Sequence, residues 1–289
     1  MTGHDKVWSV FWEAQGGMAN SKLAAIRIVL VEPAGPLNVG AIARVMKNFG
    51  LQHLVLVNPQ CDPLGSEARQ MAVHAQELLT TATRVNTLPE ALVGCQRAIA
   101  TTARSRHFEA PLELPEIGLP WLLAGTTAAL IFGPEDRGLN NQELCQAQRY
   151  LKIPTDDDYP ALNLAQAVSV CSYELFRLVH GGAAASANIS APASLQTAVA
   201  SDRSSATGSL AASSDDASLD DLEGYYHHLE SVLLKIGYLY PHTAASRMRK
   251  IRRLCHRAAP ASSEVALLRG ILSQVEWALN NPDAVSSPD

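Results

Sequence analysis

The chain has 289 residues, of which 47% are hydrophobic, and its 23 basic and 28 acidic side chains leave a net charge of −5. That length allows one large domain or two modest ones, and the apolar share excludes global disorder. The charge balance excludes a histone-like cation but leaves room for a local basic patch that binds nucleic acid.

Residues 1–20 precede any periodic pattern and read as a flexible arm carrying Trp8 and Trp12, with Met18 as an alternative start. Ile26-Arg-Ile-Val-Leu-Val31 is a β-branched run closed by Pro33, Gly35 and Pro36, the pattern of a buried strand and its loop. Asn38 stands where an N-cap belongs, ahead of Val39, Ile42, Met46 and Phe49 at helical spacing, and Gly50 comes next at the site of a left-handed C-terminal cap. Leu54-Val-Leu-Val57 predicts a second buried strand. Glu67–Leu79 and Leu88–Val93 read as helices, Ala98–Thr101, Ala128–Phe132 and Tyr150–Ile153 as strands. A long helix runs from Asn163 to His180, with Leu164, Val168, Cys171, Leu175 and Val179 on one side. Short apolar strands alternating with helices predict an α/β fold whose mainly parallel sheet is covered on both faces.

From 183 to 219 the chain turns to Ala, Ser, Thr and Asp with few large apolar residues, which predicts a linker. Leu222, Tyr225, Tyr226, Leu229, Val232 and Leu233, then Met248, Ile251 and Leu254, then Val265, Leu268, Ile271, Leu272 and Val275 predict a small all-helical unit over 220–281. Residues 282–289 read as a tail. The expected organisation is thus an arm (1–20), an α/β domain (21–182), the linker (183–219), the helical unit and the tail.

Familiar chemistries fail when tested one by one. Cys61, Cys95, Cys145, Cys171 and Cys255 are scattered, odd in number and never spaced as CxxC, which argues against disulfides or zinc and for a reducing, cytoplasmic setting. No apolar run reaches the ~18 residues a membrane span needs. Gly133-Pro-Glu-Asp-Arg-Gly138 has the spacing of half a P-loop, but Leu139 and Asn140 replace its Lys and Ser/Thr. There is no GxGxxG after the first strand, no GxSxG, no HExxH and no histidine pair with ligand spacing, so no metal is expected. Asp156-Asp157-Asp158 reads as a solvated acidic loop.

Three segments remain unusual: Asn38-Val-Gly-Ala-Ile-Ala-Arg44, Ile131-Phe-Gly-Pro-Glu-Asp-Arg-Gly-Leu139, and Ile153-Pro154 through Pro160-Ala-Leu-Asn-Leu-Ala165. Each succeeds a predicted strand or opens a helix, where open α/β sheets bind ligands. In order and spacing they resemble the three motifs of the SpoU/TrmH branch of the SPOUT RNA 2′-O-methyltransferases. Asp221-Leu-Glu-Gly-Tyr-Tyr-His-His-Leu-Glu230, Lys250-Ile-Arg-Arg-Leu254 and Leu267-Leu-Arg-Gly-Ile-Leu272 are similar to the appended helical domain of TrmJ-type tRNA methyltransferases.

The resemblance implies a C-terminal trefoil knot, a homodimer with sites near the subunit interface, and S-adenosylmethionine as methyl donor. It implies that Thr101, Thr102, Ala103, Gly133, Gly138, Leu139, Ile153, Pro160, Ala161 and Leu162 form the cofactor pocket, with Asn38, Glu135 and Asn163 supporting its loops. Arg44 matches the arginine on which the family's catalysis depends, and Glu135 is a candidate intersubunit partner for it. Because a guanidinium pKa lies above ~12, Arg44 is assigned to orienting the hydroxyl and stabilising negative charge rather than to acting as a base. Ala161 departs from the serine usual in TrmJ-type enzymes, which removes any serine-assisted step. Arg104, Arg106, Arg247, Arg249, Lys250, Arg252, Arg253 and Arg257 are the expected RNA contacts. The implied activity is 2′-O-methylation of the pyrimidine at position 32 of the tRNA anticodon loop. The same chemistry on rRNA, or a knotted RNA-binding protein without catalysis, remain as alternatives.

Overall fold

A computed structural model describes residues 22–103, 111–124, 126–184 and 216–281. Residues 1–20, Arg104, Arg106 and 282–289 therefore lie outside the described residues, as does most of the expected linker.

Seven parallel strands form one sheet: β1 (Ile26–Val31), β2 (His53–Val57), β3 (Thr83–Val85), β4 (Arg97–Thr101), β5 (Leu112–Glu113), β6 (Ala128–Phe132) and β7 (Arg149–Leu151), in the order β3-β2-β1-β6-β4-β7-β5. The chain runs outward from β1 to β3 and then crosses to build the other half, so strand order reverses beside β1, where α/β sheets open a crevice at their carboxyl ends. Strand β7 is inserted between β4 and β5, which are consecutive in sequence. The connection from β4 to β5 therefore has β7 seated between its two ends. This is the arrangement a knot requires, though residues 104–110 of that connection are outside the described residues.

Side-chain alternation along the strands builds two cores. Ile26, Ile28 and Leu30 of β1, with Leu130, Phe132 and Leu151, face one side. Helices α1 (Pro36–Asn48), α2 (Ser66–Ala72), α3 (Gln76–Thr80), α5 (Pro115–Leu123) and α7 (Leu164–Ala184) supply the residues that cover it. Val29, Val31, Ala98, Ala100 and Ile131 face the other side, which has only the short α4 (Leu88–Leu92) and α6 (Asn141–Leu144) from the same half of the chain. A parallel sheet must be covered on both faces. The C-terminal helices α8 (Leu219–Lys235), α9 (Pro241–Ala258) and α10 (Ser262–Asn280) extend that second core, through Leu219, Leu222, Tyr225 and Tyr226.

The helical unit is thus docked, and its approach corrects the far end of the expected linker. Leu219 donates its N–H to Cys95 O (2.8 Å), the Gly94 N–H meets Asp220 Oδ1 (2.8 Å), and Arg97 pairs with Asp216 at 3.8 Å. At the near end, α7 runs on to Ala184. The predicted helix Glu67–Leu79 is broken: Val73 adopts φ +52, and a 3-10 turn at Val73–Ala75 separates α2 from α3. Asn38 is not an N-cap, because α1 begins at Pro36, whose fixed φ suits a first helical position. Gly50 does close α1 with φ +73; its N–H meets Lys47 O while the Leu51 N–H reaches Met46 O, a Schellman closure.

Candidate active site

All ten residues expected at the cofactor line one cavity of about 280 Å3 at the carboxyl ends of β4, β6 and β7. Thr101, Thr102 and Ala103 leave β4, Phe132–Leu139 leave β6, and Leu151 and Ile153 leave β7; Pro160, Ala161 and Leu162 close the cavity ahead of α7. Backbone hydrogen bonds fix this rim. Thr102 N–H donates to Leu151 O (2.9 Å), the Thr101 hydroxyl to Ile131 O (2.9 Å), and the Thr155 hydroxyl to Pro160 O (3.1 Å).

The loop after β6 depends on its glycines. A Cβ on Gly133 would lie 2.3 Å from Leu139 N and 2.5 Å from Gly138 C, so the loop folds onto that position. Gly138 holds φ +63 and donates to Pro134 O at 2.9 Å.

One hydrogen-bonded chain joins the three motif segments. Glu135 accepts from the N–H groups of Ala34 and Gly35 at 3.1 Å each and from Asn38 Nδ2 at 2.8 Å. Asn38 Oδ1 in turn accepts from Asn163 Nδ2 at 3.1 Å, and Asn163 Oδ1 caps α7 through the Ala165 N–H at 2.9 Å. Burial pushes the Glu135 carboxyl up, but the hydrogen bonds from Asn38 and the backbone outweigh it, leaving the group below its ordinary value of 4.5. Within the chain this carboxylate serves the N-terminus of α1.

Arg44 itself does not line the cavity. It is exposed on α1, six residues and therefore ~9 Å along the axis beyond Asn38. Its guanidinium makes no hydrogen bond or ion pair among the described residues. The sequence reading missed Arg137, which lines the cavity and holds Glu32 at 2.6 Å and both Glu143 oxygens at 3.0 Å. That clamp ties the β6 loop to the end of β1 and to α6. Its sequence signal was Asn140 with Glu143 three residues later, a capping box that the structure forms.

The expected RNA contacts separate into two groups. Lys250 and Arg257 are exposed, and Arg253 lies with them along a cleft between α9 and the sheet edge. Arg252 is a correction: it faces α8, is bound by both oxygens of Glu223, and its guanidinium lies 4.4 Å from the Tyr226 ring. Arg247 donates to Tyr238 O at 2.6 Å, and Arg249 is half-buried. Among the described residues, no group of three or more His, Cys, Asp or Glu side chains converges as a metal site, and no helix is long and apolar enough to cross a membrane.

Residues 25–173 match the SpoU rRNA methylase family, and residues 220–284 match the C-terminal domain of the tRNA methyltransferase TrmJ. The chain belongs to the SpoU methylase family. It is 39% identical over 261 residues to the tRNA (cytidine/uridine-2′-O-)-methyltransferase TrmJ of Cronobacter sakazakii, covering 89% of this chain and 98% of that one. The tRNA (cytidine/uridine/adenosine-2′-O-)-methyltransferase TrmJ of Pseudomonas aeruginosa is 38% identical over 261 residues, covering 88% of this chain and 95% of that protein. Among solved structures, the crystal structure of TrmJ from Z. mobilis superposes with a TM-score of 0.71 at 29% identity, covering 88% of this chain and 100% of that one. The SpoU methylase fold and the TrmJ-type helical unit thus occur here in one chain, in the order the motifs implied.

Proposed function

We propose that the protein transfers the methyl group of S-adenosylmethionine to the ribose 2′-oxygen of a tRNA nucleotide, in the cytoplasm, with the pyrimidine at position 32 of the anticodon loop as target. The observation that carries this reading is the single cavity that unites Thr101–Ala103, Gly133–Leu139, Ile153 and Pro160–Leu162. Its glycine-folded loop and backbone rim fit a compact, folded small molecule, and its volume is near the lower end of ligand pockets, ~300–1,000 Å3. Those residues would hold the cofactor largely through main-chain groups, so Ala161 in place of serine leaves the pocket intact.

Bound there, S-adenosylmethionine would supply an electrophilic methyl on a sulfonium, and because its sulfur would depart as a neutral thioether the transfer calls for no Lewis acid. The chain's task is to align the 2′-oxygen and to stabilise the negative charge left on it as its proton passes to water or to a phosphate of the RNA. Arg44 is suited to that task, being cationic and without an acceptor among the described residues. Since it lies outside its own cavity, the reading has two copies pair so that Arg44 of one completes the site of the other. The exposed apolar side chains Leu37, Val170 and Tyr173 on the adjoining helices α1 and α7 support such a pairing face.

Incubating the protein with radiolabelled S-adenosylmethionine and unmodified tRNA transcripts, with EDTA and polyamine present, tests the reading. Label is expected in tRNA, and mapping of the modified nucleotide should place it at position 32. Label entering rRNA in preference to tRNA, or tRNA binding without transfer, would overturn it in favour of an rRNA enzyme or a non-catalytic RNA-binding protein. Transcripts carrying A32 show whether the base preference extends to purines.

A further inference from the structure

We infer that Arg137 is a positioning residue for the cofactor: its guanidinium sets the loop between β6 and α6 in the shape that receives S-adenosylmethionine before the cofactor arrives. The inference rests on the cofactor reading above and adds to it a side chain absent from the expected pocket residues. The loop from Gly133 to Leu139 forms one wall of the cavity. Gly133, Pro134, Gly138 and Leu139 carry no polar side chain, so what they present to a polar ligand is main chain. Main-chain donors and acceptors bind only as well as their positions are fixed beforehand. The two glycines work against that, since glycine gives up the most conformational freedom on ordering. The loop must be anchored from outside.

Two of its side chains, of opposite sign, find anchors. Glu135 takes the N-terminus of α1, as described above. Arg137 takes the end of β1, the first turn of α6 and the loop itself. Its Nη1 donates to Gly138 O and to Glu143 Oε2, both at 3.0 Å. Its Nη2 donates to Glu143 Oε1 at 3.0 Å and to Glu32 Oε2 at 2.6 Å. Ion pairs near a surface contribute little when two free side chains must be ordered to meet. Here the fork to Glu143 is bidentate, and Glu143 is already held, because its Oε2 accepts the Asn140 N–H at 2.6 Å in the capping box. Glu32 is held as well, its Oε1 accepting from Asn58 Nδ2 at 3.3 Å.

The backbone beyond the clamp points to a role in binding rather than in stability alone. Glu32 and Asn58 directly follow β1 and β2 with φ of +47 and +43, in the left-handed region that asparagine enters readily and glutamate does not. Strain of this kind persists where surrounding contacts over-determine it, and it gathers at ligand sites. Arg137 thus joins a strained strand end to a cavity wall, whereas a pair such as Arg177 with Glu174 ties residues one turn apart on a single helix. With both terminal nitrogens committed within the protein, Arg137 acts on the cofactor through the loop.

The test compares full-length wild type with Arg137→Met, Glu143→Gln and the double variant. Glutamine at 143 keeps the capping box but presents a neutral acceptor to the guanidinium. Calorimetry with S-adenosylmethionine and with S-adenosylhomocysteine, thermal melting, and methyl transfer to tRNA over a range of cofactor concentrations are measured on each. Arg137→Met should bind both ligands at least ~10-fold more weakly, the scale of a lost hydrogen bond to a charged group. Glu143→Gln should lose at least ~3-fold, since charge-assisted bonds are about twice as strong as neutral ones. The double variant should bind no worse than Arg137→Met, because the two residues act through one contact. The loss should sit in the KM for S-adenosylmethionine, with kcat at saturating cofactor within about threefold of wild type. A lower melting temperature with cofactor affinity within about twofold of wild type makes the clamp purely structural and overturns the inference, as does a double variant that sums the two single losses. Should Arg137→Met fail to fold, the cofactor Kd of Glu143→Gln decides by the same criterion. Failure of the parent reading is a different result: wild-type protein that binds neither ligand.

Discussion

Two arginines near the cavity are used in opposite ways. Arg137 gives its donors to Glu32 and Glu143 and fixes a loop, while Arg44 is left on the surface of α1 with no acceptor among the described residues. An unpaired exposed side chain contributes little to stability, so Arg44→Ala should change folding free energy by no more than about 0.5 kcal/mol. Its turnover should fall by ~10²–10³, the usual loss when a donor to a developing oxyanion is removed. Single-turnover methylation beside tRNA binding checks this, with affinity expected to stay within twofold of wild type. Gly133→Ala should do the reverse. The added Cβ would sit 2.3 Å from Leu139 N, within the loop's own backbone, so the loop must open. Titration calorimetry should show S-adenosylmethionine binding weakened at least ~10-fold, or about 1.4 kcal/mol.

Helix α9 meets the connection between α6 and β7 through His256, whose pKa is lowered to about 4 by burial and by Arg252, partly opposed by a hydrogen bond to the Ala147 backbone. A histidine held neutral in the folded state but protonated near 6.5 when unfolded contributes stability above pH 6.5 that is lost as pH falls toward 4. The Glu135 and Glu32 carboxyls, both lowered from 4.5, add their loss only below that value. Melting temperatures should therefore decline between pH ~6.5 and ~4.5, and His256→Gln should flatten that interval; an unchanged slope would remove His256 as the cause. Docking also determines the effect of truncation after Gly182. Leu88, Leu92, Cys95, Ala98 and Ala100 would lose the cover given by Leu219, Leu222 and Tyr226, so the shortened protein should bind hydrophobic dye and melt several degrees lower. Its cofactor cavity lies at the strand ends and draws no residue from the helical unit, so S-adenosylmethionine binding should persist by calorimetry.

Pairing of two copies makes a prediction that neither site variant makes alone. If Arg44 serves the partner's cavity, mixed dimers of Arg44→Ala and Gly133→Ala chains rebuild one complete site from two damaged subunits. Co-expression should then restore about a quarter of the wild-type sites, because half of randomly assorted dimers are mixed and each carries one intact site. Activity no greater than the sum of the two variants would place Arg44 in its own subunit's chemistry. Leu37→Glu with Tyr173→Glu should give monomers in sedimentation and abolish transfer.

The alternation of strands and helices, the cavity residues and the closure of α1 by Gly50 were legible because each depends on neighbours a few positions away. The apolar runs at 26–31, 54–57 and 128–132 are continuous since both sheet faces are buried, and glycines 133 and 138 mark the loop that folds on itself. Strands β3 and β5 were not legible: three and two residues long, with no fully buried position, they exist only because a neighbouring strand offers its edge. Asn38 was read as a cap from its spacing, yet its partners Glu135 and Asn163 lie 97 and 125 residues away. Arg252 is indistinguishable from Lys250 in a basic run, and only the packing of α9 on α8 turns one inward and leaves the other in water. The same limit governs the Ala- and Ser-rich stretch. Its composition describes how freely a chain can bend, whereas the docking of the helices beyond it depends on Val29, Val31 and Ala100, which need covering on a face their own half of the chain leaves open.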